Sequence, residues 1–574
     1  MAVVRIIMFA ISTFGTLEWL RMESKDRISI YFLPSLAIAI QTTVLFLAGL
    51  LNLLSEMTYL LFVIGLVGII YSIYKNRGML FLKNYMNTGY VCMLLVMTIM
   101  LLFVRGKIFT HYDNFSHWAL VVKQMLRVNR YPNFEDTLIM FQEYPLGSAT
   151  YIYYFAKLIS TSESIQMLAQ IYIMAAAILP LFIFVKKNRI LSAIAMVSFT
   201  NFVFVYNITI TNLLVDTVLP IVGMCGLLFA YLYCRKKCGK LEFVYLAFYM
   251  VQVVQIKNSG MFFVVLIDAL IFVYGWKNRQ CIISLLSGIM PFVSLILWQK
   301  HCKYLFSSAA TSKHAMTMEN YSAVLEGKTS EDIREICVSL FKFATTWKDV
   351  WLTVVVCVLI GIGIWAVKAN IWKIYIRICC FSFVMYAIYQ LGMLAMYVFS
   401  MPLYEAIVLA AATRYTKTVL LAVLYLEMIP TLEILSEMKL YRFREIITTI
   451  GLCMSLFVFL FFSFGKIKLA VQYTDDPTER KWLEQAKNEY NVPNGSSYCV
   501  LIPKKDAGYA GFLGKYICQS NSVSARVIES EEDIDNVTAK YIFVYDQGNE
   551  ITNEWIKNYY PDQYGNDVIM QKEK

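Results

Sequence analysis

The sequence predicts an all-α polytopic membrane helix bundle of about 13–14 spans, followed by a small extracytoplasmic α/β domain. Three observations predict it. Hydrophobic residues make up 59% of the 574 and charged residues 16%, with a mean hydropathy of +0.57, so lipid is the main solvent. Continuous apolar runs at 30–54, 213–233 and 446–464 approach the roughly 20 residues with which a helix crosses hydrocarbon. After residue 465 the chain turns polar and net acidic, with Pro477, Pro493 and Asn494-Gly495 as turn signals. A membrane β-barrel is excluded, because its strands would alternate apolar and polar residues in segments of about ten.

Spans are expected near 3–20, 31–54, 58–74, 87–104, 165–185, 190–207, 213–233, 241–256 and 260–275, then near 280–299, 348–368, 373–397, 417–437 and 446–465. The first reads as a retained helix rather than a signal peptide, because no small-residue cleavage site follows it. The formal charge of +11 raises a nucleic-acid reading. Its placement excludes it. The basic residues cluster between spans, at Lys186-Lys187-Asn188-Arg189, Arg235-Lys236-Lys237, Lys277-Asn278-Arg279, 368–377 and 439–444, as cytoplasmic loops require. Residues 1–465 then form the transmembrane domain, in the cell membrane, with outward loops at 105–164, 300–347 and 398–416. The soluble domain, 466–574, lies on the same outer face. Within it 498–502 and 541–545 read as strands and 511–516 and 530–537 as helical. No internal repeat is evident. The thirteen cysteines show no CxxC spacing, and Cys499 and Cys518 in the tail could pair outside the cell.

Against this apolar background the polar residues stand out. All four histidines, His111, His117, His301 and His314, fall in the two long outward loops. Exclusion of histidine from lipid would by itself place them there. Asp113 and His117 are one turn apart at the start of a helix that continues through Val128, so they share a face. Asp113 is either the cap of that helix or a general base facing a hydroxyl at the membrane surface. Three ligands from His111, Asp113 and His117 would make a metal site, but no established ligand spacing is met, so no metal residue is assigned and a divalent ion stays open. Tyr144-Pro145 precedes an aromatic stretch, 151–155, suited to the bilayer interface. Asp216 and Lys257 lie at outer span ends, where ionisable groups pair with each other or line a cavity. Arg414 either binds phosphate through its planar fork or snorkels to headgroups.

The order of these features resembles the GT-C superfamily of polytopic membrane glycosyltransferases. Members show an acidic residue opening the first large outer loop, a Tyr-Pro-Pro or His-Pro-Pro element, an Asp near the outer end of a later span, a Lys-x-x-Gly turn and a distal Arg-Tyr. Here Asp113, Tyr144-Pro145, Asp216, Lys257 to Gly260, and Arg414-Tyr415 correspond, across roughly residues 87–440. Leu146 replaces the second proline. The resemblance implies inverting transfer of a sugar from a polyprenyl-phosphate carrier to a glycan, lipid or protein acceptor on the outer face. It implies Asp113 as base, assisted by His117 or His314. Lys257 and Arg414 would hold the carrier phosphate, Asp216 would orient Lys257 or the sugar, and Tyr144 and Tyr415 would line the substrate site.

Two other classes stay open. A polysaccharide polymerase or ligase would use late-loop arginines rather than an early carboxylate. A transporter or flippase of lipid-linked glycans would show inverted repeats and charges near the bilayer middle.

Overall fold

Helices dominate the structure, a computed structural model that describes residues 2–76, 79–136, 138–139, 141–185, 189–206, 210–235, 239–305, 318–367, 369–437 and 478–571. Among the described residues nine helices are long and apolar enough to cross a membrane: Val3–Glu23, Ile30–Leu50, Leu54–Lys75, Glu163–Phe184, Asn258–Lys277, Cys281–Leu305, Ser330–Trp365, Ile371–Phe399 and Ala412–Leu435. The chain is a multi-pass helical membrane protein. Three shorter apolar helices, Thr88–Val104, Ile190–Phe204 and Val218–Cys234, fall on further expected spans, and Lys240–Ile256 on another. A helix too short for the full bilayer is tolerated where protein surrounds it, and every residue of Val218–Phe229 is buried. The expected span at 446–465 lies outside the described residues.

Burial separates a centre from a periphery. In Ile30–Leu50, Glu163–Phe184 and Ala412–Leu435 between 72% and 83% of the apolar segment is buried, against 22% in Leu54–Lys75 and 28% in Ile371–Phe399, whose remaining surface meets lipid. Lipid is as apolar as a leucine side chain, so helix association depends on close fit. The pair Ala2–Glu23 and Leu54–Lys75 shows how. A side-chain carbon on Gly15 would collide with the Gly65 carbonyl, and one on Gly68 with the Gly15 carbonyl. Farther along, the fully buried Glu18 carboxylate is satisfied by Arg21 at 2.9 Å, the Tyr85 hydroxyl at 2.7 Å and the Ser72 hydroxyl at 2.9 Å.

The segments expected to face outward are more structured than the sequence suggested. Residues 105–164 hold a π-helical turn, Asn114–Trp118, and the helices Ala119–Val128 and Gly147–Leu158. The aromatic stretch expected along the bilayer interface is interior instead: Tyr151, Tyr153 and Tyr154 are at most 2% exposed, with Tyr154 and Phe155 packed on Phe9. The helix Cys281–Leu305 runs past residue 299, so His301 is helical rather than in a loop, stacked on Trp298. Beyond it lie the helices Met318–Glu326 and Ser330–Thr346.

In the tail, strands β1 (Tyr498–Leu501), β2 (Val523–Arg526), β3 (Tyr541–Val544) and β4 (Val568–Met570) form one sheet in the order β2-β1-β3-β4. β1 is parallel to β2 and β3, and β4 runs antiparallel to β3. The helix Tyr509–Cys518 connects β1 to β2 and covers one face, as a parallel crossover requires. A central strand covered on both faces is apolar throughout, and β1 divides accordingly. Tyr498 and Val500 pack on the side that also holds Cys518, while Cys499 and Leu501 pack on the other. The two cysteines are therefore separate buried thiols, not the disulfide their shared location allowed.

This unit docks on the segment 105–164. The Arg480 guanidinium donates to the Glu163 carboxylate at 2.7 Å and to the Phe109 carbonyl, and the Tyr516 hydroxyl donates to Glu163 at 2.7 Å. The Lys123 ammonium donates to the Tyr516 carbonyl at 2.7 Å and sits 4.0 Å from the centre of its ring.

Candidate functional site

Four segments distant in sequence converge beside this docking surface. The first carries Asp113. Its approach is held by the Phe109 N–H on Glu163 at 2.6 Å, by the Tyr509 hydroxyl on the Thr110 carbonyl at 3.2 Å, and by the Tyr112 ring against Phe512. After it the backbone widens to a π-turn, closed by the Ala119 N–H on the Asn114 carbonyl, a local form often found at functional sites. Asp113 occupies the capping position of this turn, but its side chain caps nothing. Instead it accepts from Arg414 at 2.5 Å.

The second segment carries Asp216, the most enclosed of the group at 2% exposure. Its approach, a run of turns and bends, is fixed by the Leu213 N–H on Asn114 Oδ1 at 3.0 Å and by Gln170, which donates to the Asn212 carbonyl at 2.9 Å. The third is the break after Lys240–Ile256. Lys257 is extended there, and Gly260 lies so close to the Val253 carbonyl that a larger residue would not fit. That break aims the Lys257 ammonium at Asp216, 2.9 Å away, and over the Tyr415 ring at 4.8 Å.

The fourth opens the helix Ala412–Glu437. Leu409 and Ala411 just before it are left-handed, with φ of 48° and 60°, conformations costing a residue with a side chain on the order of 1–2 kcal/mol. Neighbouring contacts hold them. The Tyr397 hydroxyl donates to the Ala410 carbonyl at 2.8 Å, and the buried Lys328 ammonium donates to the carbonyls of Tyr397, Val398 and Met401. Arg414 thereby enters the site in the first helical turn rather than from a loop.

The result is an alternating chain of charge, Asp113–Arg414–Asp216–Lys257, in which Arg414 Nε lies 3.3 Å from Asp216. Buried charges persist when paired and hydrogen-bonded, and here each cation neutralises a carboxylate. Pairing between Asp216 and Lys257 is thus real. Accessibility divides the group: the Asp113 and Arg414 side chains are 25% and 29% exposed, whereas that of Asp216 is 3% exposed. The outer pair can meet a ligand, and the inner carboxylate orients both cations.

No family model, curated protein or solved structure matches the chain. Function must therefore be argued from the site itself.

His117 departs from the expected arrangement. Rather than working beside Asp113, it is 3% exposed and ringed edge-on by Trp118 at 4.8 Å, Tyr144 at 5.1 Å and Phe141 at 5.7 Å. Burial pushes its imidazole down to about 3, so it is neutral near pH 7. Its Nδ1 has no hydrogen-bond partner among the described residues. Tyr144 links this cage to the charge chain. Burial raises its hydroxyl above the usual phenol range, and the nearby Lys257 charge opposes that rise. Trp298 fixes the approach, donating to the Glu143 carbonyl at 3.0 Å. His314, assigned to the site from sequence, lies outside the described residues. Among those residues no group of three His, Cys, Asp or Glu side chains is placed to hold a metal.

Glu163, Lys328 and Arg480 were missed by sequence reasoning, and for one reason. Each lies among polar neighbours in a segment expected to be solvated, and only its tertiary partners distinguish it.

Proposed function

We propose that this protein is a membrane glycosyltransferase of the GT-C kind, moving a sugar from a polyprenyl-phosphate carrier to a hydroxyl on an envelope glycan, lipid or protein, with inversion. The observation that carries the reading is the Asp113–Arg414 pair, an accessible carboxylate and guanidinium held at 2.5 Å over a buried counter-ion. Carrier phosphate competes with Asp113 for the planar fork of Arg414, which matches phosphate oxygens. Binding the donor then frees Asp113. Its carboxylate takes the acceptor proton as the acceptor oxygen bonds to the anomeric carbon. The bond from that carbon to the phosphate oxygen breaks, and its electron pair leaves with polyprenyl phosphate. Arg414 and Lys257 offset the charge that develops on the phosphate, a task a water-poor membrane edge makes effective. Asp216 holds both cations in place. Tyr144 offers a hydrogen bond to the sugar, and His117 supports the Tyr144 ring from behind.

Basic clusters between spans support an extracytoplasmic site. Sugar transfer in proteoliposomes containing a polyprenyl-phosphate sugar tests the reading. Asp113→Asn should lose about 100-fold or more of the turnover, the usual worth of a positioned base. Full turnover in that variant would remove Asp113 from the role. No transfer by the wild type from any such donor would remove the reading itself.

A further inference from the structure

A cavity of about 840 Å³ lies between the helices Lys348–Val367, Ala369–Phe399 and Ala412–Glu437. All three belong to segments apolar enough to span the bilayer, and rim residues such as Trp365 and Phe383, each 71% exposed, open it sideways to lipid. Its lining is apolar and rich in aromatic rings: Trp351, Trp365, Trp372, Tyr375 and Tyr386 all face it. One acidic side chain, Glu427, joins them, and no basic residue does.

Glu427 is roughly 20 Å along its helix from Arg414 at 1.5 Å per residue, past the middle of a hydrocarbon core about 30 Å thick. It is 1% exposed, and neither carboxylate oxygen has a hydrogen-bond partner among the described residues. Of its polar neighbours, the Tyr375 hydroxyl is already given to the Cys357 carbonyl at 2.5 Å, and the Cys357 thiol is a weak donor. The Ser382 hydroxyl, on the same cavity, is buried and likewise without a partner. Glu18 shows what a structural carboxylate in this bundle looks like, with an arginine, a tyrosine and a serine on its oxygens. Among the described residues Glu427 has only that committed tyrosine and that weakly donating thiol beside it, and no cation. An ionisable group left in hydrocarbon without a charged partner marks a ligand site.

We propose that this cavity binds a lipophilic organic cation, its charge paired with Glu427 and its apolar body held against the tryptophan and tyrosine faces. Charge complementarity decides the class. An acyl chain would fill the same volume but leave the carboxylate unanswered, whereas a cation answers it and gains attraction from the ring faces. Ser382 adds a hydrogen bond to a polar substituent on the ligand. This inference does not depend on the glycosyltransferase reading.

Tetraphenylphosphonium is a permanently charged probe of that class, and triphenylphosphine oxide is a neutral aromatic control. Binding of each to the full chain in lipid nanodiscs distinguishes the outcomes. The cation should bind the wild type and should bind Glu427→Gln about 30-fold or more weakly, as removal of a buried charge partner predicts. Trp372→Leu should weaken the cation more than the neutral control. In the wild type, dicyclohexylcarbodiimide should label Glu427, and tetraphenylphosphonium but not the oxide should slow the labelling; this measurement needs no variant to fold. Equal binding of cation and neutral control by the wild type, or unchanged cation binding by Glu427→Gln, would make the cavity a groove for lipid chains and overturn the proposal.

Discussion

At the scale of single residues, solvation decides which side chains do chemistry. Asp113 and His117 are neighbours in sequence, yet one meets an accessible guanidinium and the other is closed in by three aromatic rings. Enclosure gives His117 a measurable signature. Its folded imidazole titrates at about 3, below the ordinary value of 6.5, so between those limits the unfolded chain binds more protons. Its contribution to stability is therefore complete above pH 6.5 and is lost as pH falls toward 3, with a slope of at most about 1.4 kcal/mol per pH unit. Thermal unfolding across that range should show a shallower acid dependence in His117→Phe than in the wild type. An identical dependence would mean that the imidazole is hydrated. The sequence flagged Asp113, Asp216, Lys257 and Arg414 because ionisable groups at span ends are rare and costly. By the same argument Glu427 was legible in the span expected at 417–437, but no neighbour in sequence indicated that no described cation answers it.

Elements set the angles at which these residues meet. The break at Lys257, the π-turn after Asp113 and the left-handed pair Leu409 and Ala411 each redirect a chain that would otherwise run on as helix. The break at Lys257 is legible as a polar turn between two apolar runs, but the other two are marked by no proline and periodicity does not signal them. The strain before Arg414 can be tested by relieving it. Ala411→Gly removes the side chain that disfavours φ of 60° and should raise stability by about 0.5–1 kcal/mol, while Ala411→Val should lower it. Unfolding midpoints in detergent check both signs. A fall in Ala411→Gly would show that backbone freedom in the unfolded chain outweighs the strain.

For the whole molecule the decisive feature is that the C-terminal unit docks on the segment that carries Asp113. Whichever face of the bilayer holds the charge chain holds the tail as well. Arg480 is the centre of that contact, its side chain 4% exposed, and the Glu163 carboxylate raises its guanidinium against the cost of burial. Removing one partner of such a pair leaves a buried charge uncompensated, a loss of about 3–5 kcal/mol. Arg480→Ala should release the tail and speed hydrogen exchange at Phe109 to Asn114, with the membrane helices unchanged; unaltered exchange there would mean that the tail does not position Asp113. By itself the sequence determined that this chain is a helical membrane protein with a small α/β unit, because burial in lipid forces long apolar runs and satisfied backbones. It also marked the polar residues that lipid makes costly. Only the tertiary structure decided that Asp113 answers Arg414 rather than His117, that Cys499 and Cys518 stand on opposite faces of a sheet, and that Arg480 reaches Glu163. Such pairings depend on where helix ends and strand faces come to rest after packing, and no spacing along the chain encodes that distance.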